Sequence, residues 1–156
     1  MRLYLVQHGA AKSEAEDPHR GLTDEGRRDV ERMAHCLALL QLSLDRIEHS
    51  EKLRARQTAE ILAARLCPTQ GTQEIAGLAP NDDVEPVCAR LQQEPKNLML
   101  VGHLPHLSRL VSRLLGLDRN RAVVRFQMAG VVRLDRDEAG QWEVSWVFPP
   151  ELAPLR

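Results

Sequence analysis

Lysine is nearly missing from this chain: of 21 basic residues only Lys12, Lys52 and Lys96 are lysine, and the rest are arginine. Arginine suits planar recognition of phosphate better than lysine does, although most of these arginines read as compositional habit. A basic excess is missing too, with 21 basic against 22 acidic residues and a net charge of −1. Proteins that live by gripping nucleic acid usually show such an excess, so a nucleic-acid partner is not expected. The cysteines Cys36, Cys67 and Cys88 are odd in number, widely spaced and without a C-x-x-C pair. They read as small buried hydrophobes in a reducing cytoplasm, with neither a disulfide framework nor a zinc site. Long apolar runs are lacking; Leu98 to Val101 is among the longest, which excludes a membrane-spanning helix. Met1-Arg2-Leu3-Tyr4 enters a short apolar run with no small-residue cleavage site, so no secretory signal is read and a cytoplasmic location is expected. No repeat, low-complexity tract or linker divides the 156 residues, which are expected to form a single domain over 1–156.

What is present is ordinary for a globular protein: 43% hydrophobic and 28% charged residues. At this length a fold buries roughly two-thirds of its unfolded surface and needs no metal or disulfide staple. The periodicity alternates. Leu3-Tyr4-Leu5-Val6 has the continuous apolar character of a central strand covered on both faces. The stretch Gly9 to Gly21 is turn-like, and Thr23 is placed to cap a helix with Val30, Met33, Ala34 and Leu37 on one face. A second strand ends near His49-Ser50, and a helix carrying Leu53, Ile61, Leu62 and Leu66 stops at Pro68. Val84, Val87, Cys88 and Leu91 mark a third helix, entered through Asn81-Asp82-Asp83 as N-cap and first-turn charge. Leu98–Val101 is a strand, and Pro105 opens a helix with Leu107, Leu110, Val111, Leu114 and Leu115 on its apolar face. Ala122 to Phe126, Gly130 to Leu134 and Trp142 to Phe148 then read as strands, the last two joined by a turn at Asp137 to Gly140. The fold expected is α/β, a three-layer αβα sandwich with a mostly parallel central sheet and an antiparallel edge.

Ligands of open α/β sheets bind beyond the carboxyl ends of the strands. That rule selects Gln7-His8-Gly9, Ser50 through Arg54, and Gly102-His103, three polar strand ends at one rim. Glycine beside each histidine allows close backbone approach to a ligand. Arg54 opens a helix and can hold an anion beside its positive end. His103 and His106 lie three apart, but Pro105 between them and the lack of a matched carboxylate make a poor metal site, so no metal and no cofactor are expected. His19, His35 and His49 read as surface or packing residues. Trp142 and Trp146, four apart on a strand, should share a face and pack on the sheet. Arg119-Asn120-Arg121 reads as a solvated loop.

These residues resemble the histidine phosphatase superfamily. The resemblance is carried by His8-Gly9, by Ser50-x-x-x-Arg54 with Gln57-Thr58, by Gly102-His103, and by Leu22-Thr23-Asp24-Glu25-Gly26 at the start of the first long helix. The short chain and His103-Leu104-Pro105 look most like the branch of phosphohistidine phosphatases. The likeness runs from Leu3 to about Val147. It implies that His8 is a nucleophile forming a phosphohistidine intermediate, that Arg54 clamps the phosphoryl oxygens and that His103 donates to them. Gln7, Gly9 and Arg20 would complete the phosphate site. The chain departs from the family at one point, because the usual Arg-His-Gly is here Gln7-His8-Gly9. Arg20 is the favoured compensation, since helical periodicity turns the alternative, Arg56, about 200° from Arg54. A general acid is not obvious; Asp82 and Asp83 lie where one could sit. The partner implied is a phosphorylated protein bearing phosphohistidine, or else a small phosphorylated compound. Alternatives are a small-molecule phosphomonoesterase and a member that binds phosphorylated ligands with little or no turnover. The short loops favour an open site, and nothing in the sequence indicates an oligomeric state.

Overall fold

A computed structural model describes residues 1–155. Strand and helix alternate as β1 (Arg2–Gln7), α1 (Asp24–Leu39), β2 (Arg46–His49), α2 (Leu53–Leu66), β3 (Thr72–Glu74), α3 (Glu85–Gln93), β4 (Leu98–Gly102) and α4 (His106–Leu114). A hairpin of β5 (Val131–Arg136) and β6 (Trp142–Phe148) follows, then a short 3-10 turn, Pro150–Leu152. The six strands form one sheet in the order β3-β2-β4-β1-β5-β6. The first four are mutually parallel, and β5 and β6 add the antiparallel edge.

The central strands read as unbroken apolar runs because both their faces are covered. Leu3 and Leu5 of β1 and Leu98 and Leu100 of β4 pack against Val87 and Leu91 of α3 and Leu107, Leu110 and Val111 of α4. Tyr4, Val6, Met99 and Val101 face the other way, against Val30, Met33 and Leu37 of α1 and Ala59 and Leu62 of α2. Each leucine so buried contributes about 1.5–3 kcal/mol relative to exposure. The result is the three-layer α/β arrangement expected from the alternation. None of the described helices is long and apolar enough to cross a membrane.

Register brings the strand ends together. Gln7 pairs with Gly102, and His49 pairs with Val101. Residues 8, 50 and 103 therefore leave the sheet side by side at one edge. The helix starting signals act locally: Thr23 accepts a hydrogen bond from the Gly26 amide at 2.9 Å, and α2 ends on Cys67 in a left-handed conformation (φ 49°) just before Pro68.

Several expectations are corrected. Ala122 to Phe126 forms no strand and runs as irregular chain; the buried Ser112 hydroxyl donates to the Arg121 carbonyl at 2.6 Å and pins the segment to α4 instead. Strand β3 is not signalled in the sequence, because all three of its residues are exposed; it forms by parallel pairing with β2. Helix α3 starts at Glu85 and its N-cap, Val84, offers no side-chain bond. Asp82 instead accepts from the Ala79 amide at 2.9 Å and closes its own loop, while Asp83 accepts from Glu85 at 3.1 Å. Trp142 and Trp146 do not share a face. A bulge in the β5–β6 ladder pairs Arg133 with Trp146 but Leu134 with Val144, and the extra residue reverses the alternation. Trp142 joins the α3–α4 cluster, whereas Trp146 packs 6.1 Å from the Tyr4 ring on the other face. Cys67 is exposed and Cys36 and Cys88 are only half-buried, all three as free thiols; the C-cap position lifts Cys67 out of the core.

Candidate active site

His8 follows β1 directly and its backbone amide still donates to the Gly102 carbonyl of β4, at 3.1 Å. On the other side the Ala129 amide donates to the Gln7 carbonyl at 2.9 Å and to that of His8 at 3.3 Å. The chain is thus held between β4 and the segment leading into β5. Gly9 turns it under α1: a Cβ here would sit 2.8 Å from Val30 and 3.0 Å from the Gly26 carbonyl. Gly26 has the same constraint in reverse, since its Cβ would lie 2.2 Å from the Ala10 carbonyl oxygen. The Thr23 amide also donates to that carbonyl, at 2.9 Å. The Leu22-to-Gly26 motif therefore clamps the loop that carries His8.

The His8 Nδ1 lies 2.7 Å from the Gly9 carbonyl oxygen. A carbonyl only accepts, so Nδ1 carries the proton and Nε2 keeps its lone pair. Burial lowers the His8 pKa from its ordinary value, the Gly9 carbonyl opposes this, and the positive charges of Arg54 and Arg20 add to the lowering. The ring is neutral near pH 7, the form in which Nε2 is nucleophilic.

Arg54 is in the first turn of α2. The turn is fastened by Thr58, whose hydroxyl donates to the Arg54 carbonyl at 2.8 Å and accepts from the Gly9 amide at 3.1 Å. Arg20 comes from the loop, with its backbone in the left-handed region (φ 51°). For a residue with a Cβ this conformation costs on the order of 1–3 kcal/mol and persists only where the surroundings enforce it. Here Nε donates to the Lys12 carbonyl at 3.0 Å, leaving the outer nitrogens free. The loop is held by the Gly21 amide donating to Asp17 at 2.8 Å and the Leu22 amide to Gln57 at 2.8 Å. Burial, and then the Arg20 charge, lowers the Arg54 pKa, with Glu51 acting in the opposite sense. Two guanidiniums thus repel across one site, a cost that a bound anion relieves.

His103 follows β4, is 1% exposed, and lies with its ring centroid 5.0 Å from that of His8. Its Nε2 meets the Ser50 hydroxyl at 2.6 Å. Burial, the neighbouring His8 and the Arg54 charge push its pKa down to about 3, so this ring is neutral as well. The Gln7 side chain is at the end of β1 with its Oε1 buried and unpartnered. An open cleft of about 690 Å³ adjoins the cluster, lined by Glu14, Arg20, Glu51, Lys52, Arg54 and Arg56 among others. Arg56 is half exposed and faces Glu60 at 3.7 Å.

The structure therefore brings together His8, Gly9, Arg20, Arg54 and His103, with Gln7 beside them. It does not bring in Asp82 or Asp83. Both line a separate cleft with Arg109, Arg119 and Asn120, and the charges acting on His8 and His103 come from arginine, lysine and histidine. No group of histidine, cysteine and carboxylate residues suited to a metal ion occurs among the described residues. Sequence reasoning assigns no task to Ser50, Gln57 or Thr58. Their place in the motif around Arg54 was the one available signal.

A neutral imidazole with an exposed lone pair, two converging guanidiniums and a second neutral imidazole, all at the carboxyl ends of parallel strands, define an α/β protein suited to handling phosphoryl groups. A model of the histidine phosphatase superfamily (branch 1) matches residues 3–78. The chain is 41% identical over 115 residues to an uncharacterized protein of Picosynechococcus, covering 69% of this chain and 68% of that one. It is 28% identical over 155 residues to the phosphohistidine phosphatase SixA of Escherichia coli, covering 96% and 94% of the two chains. A solved structure of the protein histidine phosphatase SixA complexed with tungstate superposes with a TM-score of 0.87 at 27% identity, over 97% of this chain and 99% of that one. The chain belongs to the histidine phosphatase superfamily. Its activity is that of a phosphatase.

Proposed function

We propose that this protein removes the phosphoryl group from phosphohistidine on a protein, through a covalent intermediate on His8 and without a metal. The observation that carries the reading is the His8 Nδ1–carbonyl hydrogen bond of 2.7 Å, which leaves Nε2 unprotonated beside Arg20 and Arg54. In the first step the Nε2 lone pair attacks phosphorus and the bond from phosphorus to the leaving nitrogen breaks. Arg54, Arg20 and His103 hold the oxygens as charge spreads over them; such transfer is mostly positioning and electrostatics. Water then attacks the phosphohistidine, releasing phosphate and restoring neutral His8. Gly9 lets the backbone pass close under the site, and Gln7 takes the place of a third guanidinium.

The leaving group supports the choice of substrate. Asp82 and Asp83 are engaged elsewhere, so neither protonates a departing alkoxide, and the carboxylates that line the cleft, Glu14 and Glu51, are not among the charges acting on His8 or His103. A phosphohistidine ring can take up a proton on its second nitrogen near neutral pH, and in that protonated form it leaves as neutral imidazole with no acid from the protein. Likeness to SixA and the open cleft agree with a protein-borne substrate. The test is turnover of a phosphohistidine-bearing protein beside a generic aryl phosphate, with the native chain and His8→Ala in chelator. Preference for the phosphohistidine, lost in His8→Ala, is expected. Preference for small phosphate esters would instead make the protein a small-molecule phosphomonoesterase. Tight phosphate binding without turnover would make it a binding member.

A further inference from the structure

Ser50 has no role in the chemistry just described, yet it is fully buried and its hydroxyl makes one of the shortest side-chain contacts in the molecule, 2.6 Å to His103 Nε2. That contact has two possible directions. Either His103 Nε2–H donates to Ser50, or the Ser50 hydroxyl donates to a bare Nε2. The second contact of Ser50 Oγ decides between them. The Lys52 amide donates to the same oxygen at 3.3 Å. If His103 donated too, the oxygen would accept twice and its own proton would be buried without an acceptor, which costs about 1–3 kcal/mol. With the hydroxyl donating to Nε2, every group on Ser50 is satisfied.

The consequence reaches the opposite nitrogen. A neutral imidazole carries one proton, and if Nε2 is the acceptor that proton is on Nδ1. His103 Nδ1 is the nitrogen that is buried with no partner within the protein, and the ring that bears it lies 5.0 Å from that of His8. We propose that Ser50 is a positioning residue that locks His103 in the Nδ1–H tautomer, so that Nδ1 donates a hydrogen bond to the phosphoryl group on its way to His8. The assignment rests on the phosphatase reading for its substrate but not for its geometry. His103 keeps its proton throughout. It stabilises charge on a phosphoryl oxygen and does not act as an acid. Without Ser50 no hydrogen bond distinguishes the two ring nitrogens, and a His103 with its proton on Nε2 would turn a lone pair toward an anion.

The tautomer is measurable apart from turnover. In protein labelled with 15N-histidine, two-bond nitrogen–hydrogen couplings report which nitrogen of His103 carries hydrogen. The native protein should show Nδ1–H, and titration with inorganic phosphate should shift that resonance. Ser50→Ala should give a mixture of tautomers and lower kcat on the order of 10²-fold, the usual effect of losing one donor to a developing charge, with a smaller change in KM. Ser50→Thr, which keeps the hydroxyl, should retain both the tautomer and most of the activity. His103 found as Nε2–H in the native protein, an Nδ1–H signal indifferent to phosphate, or a Ser50→Ala protein with unaltered tautomer and kcat would each overturn the assignment. If Ser50→Ala does not fold, the native spectrum and its phosphate titration decide alone. Loss of the phosphatase reading would look different: an Nδ1–H signal that responds to phosphate in a protein that turns over no phosphorylated compound.

Discussion

Arg20 and Gln7 have to be understood together. Gln7 supplies no charge and at most two donors, where a guanidinium would supply five and a fixed positive charge. Losing a charged hydrogen-bond partner of phosphate costs about 1.5–3 kcal/mol. The held, left-handed Arg20 stands where it can make up that loss. Arg20→Ala should therefore reduce kcat/KM about 10²-fold, since one donor to the transition state is removed. Gln7→Arg should raise turnover in the native background and restore part of what Arg20→Ala loses. Steady-state kinetics on the four proteins of that cycle measure the coupling. Gln7→Arg with unchanged or lower turnover would mean that the pocket is built around glutamine. At this scale the sequence was legible where a residue type is rare and chemically loaded: His8, Arg54 and His103 stand out at strand ends. Ser50 and Thr58 do not, because a buried hydroxyl acts only through the partner the fold gives it.

The loop carrying His8 is shaped by the first turn of α1. The Gly26 Cα is so close to the Ala10 backbone that an added methyl would fall 2.2 Å from a carbonyl oxygen, with no flexible side chain to yield. Gly26→Ala should destabilise the fold by about 1–3 kcal/mol, the range for overpacking, and displace His8 so that kcat falls more than stability does. Denaturant unfolding and turnover on the same preparation check both. A different staple secures the far side of the sheet. Glu48 is fully buried in β2 and accepts from Arg90 of α3 at 2.6 and 3.1 Å and from Arg46 at 2.6 and 3.1 Å. Removing one member of a buried pair costs about 3–5 kcal/mol because the other charges remain. Glu48→Ala should lie in the lower part of that range, since Arg90 retains contact with water. An unfolding midpoint like that of the native chain would show that water already satisfies the arginines. Most elements could be read from periodicity, as α1 and β4 were. β3 escaped because its residues are exposed and its existence depends on β2, and the segment 122–126 misled because its β-branched run stays largely exposed, with only Phe126 buried and Val124 partly so.

Across the whole molecule, burial sets the response to acid. His8, His103 and His106 all bind protons less readily in the fold than the ordinary histidine value of 6.5 suggests, with burial the first cause in each. His106 is buried with neither ring nitrogen in hydrogen-bond geometry, although the Asp82 charge and the Gly77 backbone oppose the shift. The unfolded chain takes up protons on these rings as pH falls below about 6.5 while the folded chain resists, so stability is full above that pH and lost below it. His103, held down to about 3, costs about 1.4 kcal/mol per pH unit across that window. The unfolding free energy should be at least about 2 kcal/mol lower at pH 5 than at pH 7, and His106→Leu should flatten the slope. A level profile over that range would mean that the native protein protonates these rings. Catalysis should persist below pH 6.5, because the lowered His8 pKa keeps Nε2 free there; a rate that halves at or above 6.5 would count against His8 as the nucleophile.

The strand order also has a temporal side. β1 is the first element in the chain, yet its neighbours in the sheet are β4 and β5, separated from it by some ninety and more than a hundred and twenty residues. On the ribosome the segment Leu3 to Val6 emerges some ninety residues before either hydrogen-bonding edge can be covered. Helices α1 and α2 can pack on each other in the meantime but give that strand no partner. Synthesis thus leaves a short, uncharged, β-prone stretch unpaired for seconds, which makes it the natural place for a chaperone to hold the nascent chain.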